Sequence, residues 1–421
     1  MSQSHRSSHD RMLGSRWLAA FGMALTLTAC GDALTPPAPA TMSAPGASAS
    51  AVKFWEVGSS VAWNATAREL VAVPGNAFGS PPLQPRVLSY VSVAQYNAIV
   101  AAQDAKVVGK QPSPAAAAAG ASFEVLKALY PGSIALLNAR LAAQKAAEPW
   151  SGEKSKDWAA GEAIGRQVGL AVVAYAATDA VGKLPAPANP GLAGNWTGTN
   201  SVLGLYGWRT WAMTSDDQFR APPPPAFGSQ AFLDDFEELR TMNAEIAAEI
   251  AAGNPLPERL KIAQFWAANG AIYLNQIATT LIVDHHKSEI EAARILALAN
   301  MAGFDVMDAC FDSKLAYYYI RPSQYAASKG VALTLFVGLP NHPSYPSGHS
   351  CSTGAYATVL QDAFPEDAAY LQGLIEEAGV ARMYGGLHYR FDLLAGREIG
   401  RKVADLVLET APKGHAPIPL D

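Results

Sequence analysis

The stretch 312–392 decides how the chain is read, because it carries DSKLAYYYIRP at 312–322, NHPSYPSGH at 341–349 and ARMYGGLHYRFD at 381–392. Lys314 and Arg321 stand seven residues apart in a helical pattern, about two turns. That spacing predicts both on one helix face, with Pro322 stopping the helix behind them. Tyr317, Tyr318, Tyr319 and Ile320 make the face partly buried, and buried cations need an anionic partner. In the second segment Ser347 is placed to cap a helix. Gly348 then lets an oxyanion approach the unpaired N–H groups at the positive end of the helix dipole, and His349 adds a titratable ring beside that seat. In the third segment Arg382 brings another cation, and Gly385 and Gly386 supply a turn. His388 and Asp392 are four apart, so the carboxylate can hold one ring nitrogen and leave the other for chemistry. Each segment alone has a plainer reading: a solvated basic pair, an ordinary helix start, an Arg390–Asp392 ion pair. Together and in this order they point to gripping and transforming an oxyanion.

Outside this stretch the sequence predicts an all-α fold of helical bundles. Half of the 421 residues are hydrophobic, 16% are charged and the net charge is −5, so no nucleic-acid-binding surface is expected. Apolar residues recur at three- and four-residue intervals over 53–182, an N-terminal helical half that includes the alanine-rich run 115–147, broken at Pro131-Gly132. Residues 183–228, with Pro185, Pro187, Pro190 and Pro222 to Pro225, read as a long Pro/Gly-rich connection between two halves. Its length allows it to border the site, although a surface connector is the plainer reading. The C-terminal catalytic half, 229–412, is expected to hold helices near 229–252, 257–281, 287–320, 347–361, 366–381 and 389–410. The adjacent His285 and His286 point about 100° apart on a helix, which favours a helix-end pair over a metal site.

The N-terminus reads as a targeting segment. Arg6, Arg11 and Arg16 precede an apolar run from Trp17 to Thr28, too short to span a bilayer. The run closes on Leu27-Thr28-Ala29-Cys30, which resembles a bacterial lipobox. Residues 1–29 are therefore expected to be a lipoprotein signal peptide, Cys30 the lipidated residue and 30–52 a flexible tether poor in large apolar groups. The protein would be exported and face the periplasm or cell exterior, held to the membrane by the lipid anchor alone, since no later segment offers ~18 consecutive apolar residues. Cys310 and Cys351 remain, either bridged or as two buried thiols. Nothing in the sequence sets the oligomeric state.

The order Lys, six residues, Arg-Pro; Pro-Ser-Gly-His; Arg, five residues, His, three residues, Asp resembles the superfamily of type 2 phosphatidic acid phosphatases, bacterial non-specific acid phosphatases and vanadium-dependent haloperoxidases. The likeness covers about 260–405, including Ala263-Gln264-Phe265-Trp266, Asn275-Gln276-Ile277-Ala278 and Asp308-Ala309, which look like the soluble bacterial haloperoxidase-like branch. One departure is Ala381, where many members have Ser before the arginine. The resemblance implies a helical fold with the site inside the C-terminal bundle, where Lys314, Arg321 and Arg382 neutralise phosphate or vanadate oxygens, with Ser347 and the Gly348 N–H adding bonds. It makes His388 the group that attacks phosphorus or coordinates vanadium, Asp392 its orienting partner and His349 the general acid.

Two residues near the motifs differ from the haloperoxidase pattern. Phe311 stands where a tryptophan is frequent, and His342 where an aromatic residue often lines the halide site; both are candidates to surround the centre, with a plain loop residue as the other reading of His342. The leading expectation is a phosphatase that hydrolyses a small phosphomonoester through a phosphohistidine, with no cofactor. The alternative is a haloperoxidase that holds vanadate and oxidises halide with hydrogen peroxide. A non-catalytic oxyanion-binding lipoprotein is the third possibility.

Overall fold

A long helix that carries a buried asparagine near its middle and a buried lysine near its end organises the molecule, as a computed structural model of the chain shows. The structure describes residues 57–420 except 74, 77, 148, 150–151, 180–186 and 199–206. The signal segment 1–29, Cys30 and the tether 30–52 lie outside the described residues.

Among the described residues the chain forms thirteen α-helices and no β-strand. They are α1 (Ser59–Val71), α2 (Gln84–Asp104), α3 (Pro114–Leu129), α4 (Ile134–Ala146), α5 (Trp158–Ala177), α6 (Gln230–Ala251), α7 (Glu258–Ala268), α8 (Ala271–Asp284), α9 (Glu289–Tyr317), α10 (Pro322–Lys329), α11 (Gly348–Ala363), α12 (Ala368–Tyr384) and α13 (Arg390–Thr410). The all-α expectation is met, and none of these helices is long and apolar enough to cross a membrane.

Helix α9 starts at a Ser288–Glu291 capping box and is buried along most of its length. It packs against α2 on one side and α11 and α13 on the other, and one continuous apolar core runs from Val61 to Ile418. Small residues set the closest contacts. A Cβ at Gly396 of α13 would come within 2.6 Å of the Ser347 carbonyl, and one at Gly400 within 2.6 Å of the Cys351 carbonyl, so α13 lies directly on the first turns of α11. Cys310 of α9 and Cys351 of α11 are joined in a disulfide with Cα atoms 6.5 Å apart, which ties the helix of the first motif to that of the second.

Three expectations need correction. The helix expected over 257–281 is two, α7 and α8, divided at Asn269-Gly270. The helix expected over 287–320 ends at Tyr317, because Tyr318 adopts a left-handed conformation (φ 45°). Arg321 is therefore extended (φ −79°, ψ 150°) and Pro322 opens α10 instead of closing a helix, so Lys314 and Arg321 do not share a helix face.

The connection explains the break. Trp196 N–H donates to the Tyr318 carbonyl at 2.5 Å and Ile320 N–H to the Gly194 carbonyl at 2.9 Å, pinning the chain on both sides of Tyr319. Residues 207–228 then run along α9 as a strap. Asp305 accepts the N–H groups of Trp211 and Ala212 at 2.8 Å each, Asp308 that of Trp208 at 3.2 Å, and Asp312 pairs with Arg220 through two bonds of 2.7 Å. From the other direction Tyr317, Tyr345 and Tyr319 donate their hydroxyls to the carbonyls of Ala221, Pro222 and Pro225 at 2.6–2.7 Å. This half of the connection is a laced structural part that reaches the loop of the second motif.

Candidate active site

The three motifs converge at the ends of α9, α11, α12 and α13, around a cavity of about 340 Å³. Its wall includes Gly348, His349, Arg382, His388, Phe311 and His342. Lys314 is buried below this wall. Its Nζ donates to the carbonyls of Pro343 (3.0 Å), Ser344 (2.8 Å) and Pro346. Three acceptors use all three N–H bonds of an ammonium group, so Lys314 holds the loop and acts on the cavity through its charge. Burial, then the neighbouring Arg321, pushes its pKa well down, while Asp392 opposes them. The loop it holds contains a cis Tyr345–Pro346 bond.

Arg321 is also engaged. Its Nε donates to the His342 carbonyl at 3.0 Å, and NH1 to the Leu387 carbonyl at 2.9 Å and to His388 Nε2 at 3.0 Å. NH2 lies 3.1 Å from His342 Nδ1. A guanidinium only donates, so Nδ1 accepts and the His342 proton sits on Nε2. The Pro343 carbonyl, also 3.1 Å from Nδ1, would bond that nitrogen only in the other tautomer. Burial, Lys314 and Arg321 hold His342 well below its ordinary pKa, which agrees with an accepting Nδ1. The His342 ring packs edge-on against Phe311 at 5.3 Å, and both residues line the cavity.

Arg382 differs from the other two cations. It lines the cavity, and its buried Nε and NH1 have no protein partner. Two unpaired guanidinium donors in a buried wall are the feature an oxyanion would satisfy. Burial alone lowers the Arg382 pKa, to about 10, so the group is charged at neutral pH.

Ser347 caps α11, accepting Ser350 N–H at 3.4 Å, while its own N–H donates to the Asp392 carbonyl at 2.9 Å. The helix N-terminus is thereby locked to α13, with the Gly348 and His349 N–H groups free of helix bonds. His349 Nε2 lies 2.8 Å from the Trp266 carbonyl. A carbonyl only accepts, so Nε2 carries the proton and Nδ1 is left as the acceptor. That carbonyl belongs to the last turn of α7, and the break at Asn269-Gly270 leaves it without a helix partner. Burial, then Arg382, pushes the His349 pKa down to about 3.

His388 precedes α13, and its Nδ1 lies 2.7 Å from Asp392 Oδ2. The carboxylate fixes the proton on Nδ1 and leaves the lone pair on Nε2, as the four-residue spacing predicted. Burial and the three cations keep the ring neutral. Burial pushes Asp392 up to about 7, opposed by Ser344, Lys314 and Arg321. The alternative Arg390–Asp392 pair does not form, because Arg390 pairs with Glu238 at 2.8–2.9 Å. The sequence reading missed Ser344, whose Oγ donates at 2.5 Å to the same Asp392 Oδ2 that holds His388 and lies 3.5 Å from His388 Nδ1. Its only sequence signal was its place inside the second motif. Away from the site, His285 caps the end of α8 and contacts Glu366 and Asp367, as a helix-end residue should.

Residues 290–413 match the family model described as PAP2 superfamily. A vanadium-dependent bromoperoxidase of Ascophyllum nodosum is 33% identical over 96 aligned residues, which covers 16% of this chain and only 17% of that protein's length. Among solved structures, a bacterial vanadium-dependent iodoperoxidase superposes with a TM-score of 0.67 at 22% identity, over 84% of this chain and 95% of that one. A bacterial vanadium-dependent chloroperoxidase gives 0.64 at 13% identity, over 82% and 95%. In motif order and in fold the chain fits the haloperoxidase-like branch of the PAP2 superfamily.

Proposed function

We propose that the protein is an enzyme that hydrolyses phosphomonoesters through a phosphohistidine on His388. The observation that carries this reading is the His388 ring, with Nδ1–H fixed on Asp392 and the Nε2 lone pair beside the unpaired donors of Arg382. The substrate dianion seats its oxygens on Arg382 and on the Gly348 and His349 N–H groups. One oxygen takes over Arg321 NH1, which now covers His388 Nε2 at 3.0 Å. The freed Nε2 attacks phosphorus, the ester P–O bond breaks, and the leaving oxygen takes a proton from His349. The dianion offsets the cations that depress the His349 pKa, so this ring gains its proton together with the substrate. Water then attacks phosphorus, a P–O bond forms as the P–N bond to His388 breaks, and the water's proton passes to His349. Phosphate departs and His388 is restored.

A second reading is vanadium-dependent halide oxidation. It is favoured by the relatives named as haloperoxidases, whereas Phe311 and His342 depart from the haloperoxidase pattern. Vanadate, tetrahedral and anionic like phosphate, fits the unpaired Arg382 donors. Arg382, the Gly348 N–H and His388 Nε2 would hold it. When bound it supplies a centre that activates peroxide toward halide. One assay series separates the readings, with purified protein tested first on p-nitrophenyl phosphate, then with vanadate, then with peroxide and bromide or iodide. Hydrolysis that vanadate inhibits, with no halide oxidation afterwards, supports the phosphatase. Vanadate-dependent halide oxidation without phosphatase activity overturns it.

We also propose export and anchoring through Cys30, on the N-terminal sequence alone. Fatty-acid labelling that persists in Cys30→Ala would contradict it.

A further inference from the structure

The cavity above His388 is larger than a five-atom oxyanion requires, and its two sides differ in chemistry. Its volume is about 340 Å³, within the range of small-molecule sites. Arg382, His349 and His388 occupy the inner side with the Gly348 helix end. The remaining wall presents Leu274 of α8, Met307 and Phe311 one turn apart on α9, Pro81 and Pro82 ahead of α2, and Pro340 of the second-motif loop, with Asn341, His342, Ser80 and Thr353 as its uncharged polar members. No Asp, Glu or Lys side chain borders the cavity among the described residues. Of its few hydroxyls, that of Ser352 is already donated to the Gly348 carbonyl at 3.0 Å.

We propose that this wall selects the alcohol half of the substrate, taking an uncharged apolar group of aromatic or short-alkyl kind. The proposal rests on the phosphomonoester reading above. With the phosphoryl group on Arg382 and the ester oxygen toward His349, the leaving group lies against Leu274, Met307 and Phe311. Apolar surface there leaves water, and burial is favourable. A sugar or nucleoside in the same place would surrender its water hydrogen bonds to a wall that returns few of them. Leu274, Met307 and Phe311 are themselves buried, so they form a fixed surface and need no rearrangement to receive the group.

The test compares benzyl phosphate with glucose 6-phosphate, both of which release a primary alcohol. It also measures binding of the non-hydrolysable benzylphosphonate and methylphosphonate by calorimetry. The expected result is a kcat/KM about 10²-fold higher for benzyl phosphate, and benzylphosphonate binding about tenfold tighter than methylphosphonate. Met307→Gln, which keeps side-chain length, should shrink the difference between the two phosphonates. Leu274→Asn should do the same, and either variant serves if the other fails to fold. Equal affinity for the two phosphonates, or equal turnover of the two esters, overturns the proposal. If no ester is hydrolysed yet benzylphosphonate still binds more tightly, the hydrolytic reading fails while the apolar wall stands.

Discussion

Helix α9 carries two buried polar clusters of opposite character. Near its middle, Asn300 joins Asn64, Ser92, Gln95, Asn275 and Tyr356 in a network in which side chain answers side chain at 2.7–3.1 Å. Fourteen residues on, Lys314 enters the cradle, where Arg382 Nε and NH1 and Asp392 Oδ1 have no partner. Both clusters are expensive to bury, and only the first compensates the cost internally. The difference separates a polar cluster that specifies packing from one shaped for an anion.

The sharpest way to break this comparison is to remove chemistry without removing the seat. His388→Ala should lower turnover by at least about 10³-fold while the protein still folds and still binds phosphate through Arg382. Steady-state kinetics together with phosphate titration checks this, and loss of binding in step with turnover would contradict the assigned roles. Next, Arg382→Ala should cost about 10²–10³-fold in rate. It should not lower Tm, since it removes a buried charge with unpaired donors, and phosphate should no longer raise Tm in the variant.

The closed network should respond the other way. Asn300→Leu leaves the Tyr356 hydroxyl without its acceptor, removes one of the two acceptors of Asn275 Nδ2 and removes the donor to Ser92, and is expected to cost about 2–3 kcal/mol of stability. The kcat of the folded fraction should not change, and a fall in kcat without a fall in Tm would merge the two clusters into one functional unit.

Smaller effects refine the cradle. Ser344→Ala should reduce kcat about tenfold and leave KM nearly unchanged, because Ser344 holds the Asp392 carboxylate and its Oγ lies 3.5 Å from His388 Nδ1, away from the attacking Nε2. Ser344→Thr should recover most of the loss, whereas a purely structural role would move Tm and not the pH profile.

The strap supplies the weakest effect. Burial, then Asp216, pushes Asp308 up to about 9, above its ordinary 3.8. A raised carboxyl contributes stability that is full below pH 3.8 and is lost as pH rises toward the folded value. Tm should therefore decline from pH 6 to 9, and Asp308→Asn should flatten that decline. His349 has the opposite sign. Its folded pKa of about 3 lies below the ordinary 6.5, so the unfolded chain protonates first and stability falls as pH drops from 6.5 toward 3.

The parts of this arrangement that local chemistry controls were legible in the sequence. The Ser347 cap, the four-residue His388–Asp392 pairing and the helix periods follow from spacing, and the gathering of the three motifs was implied by the family resemblance. What escaped depends on distant chain. Nothing in the run Tyr317-Tyr318-Tyr319 marks a left-handed residue, since the break is pinned by Gly194 and Trp196, more than a hundred residues earlier. That break turns Arg321 toward His388 and removes it from the face of Lys314. Likewise the carbonyls that occupy Lys314 belong to a loop held by tyrosine hydroxyls on the strap, and no spacing rule connects those segments. The same dependence explains why Ser344 was overlooked, because its partner Asp392 lies on another helix.

The central claim is that His388 Nε2 forms the bond to phosphorus. It is tested most directly by mixing the protein with a ³²P-labelled phosphomonoester, quenching in base, and mapping the retained label. The account predicts an acid-labile, base-stable phosphoryl group on the peptide that contains His388, absent in His388→Ala. Steady hydrolysis with no label on that peptide, or label on another residue, would contradict it.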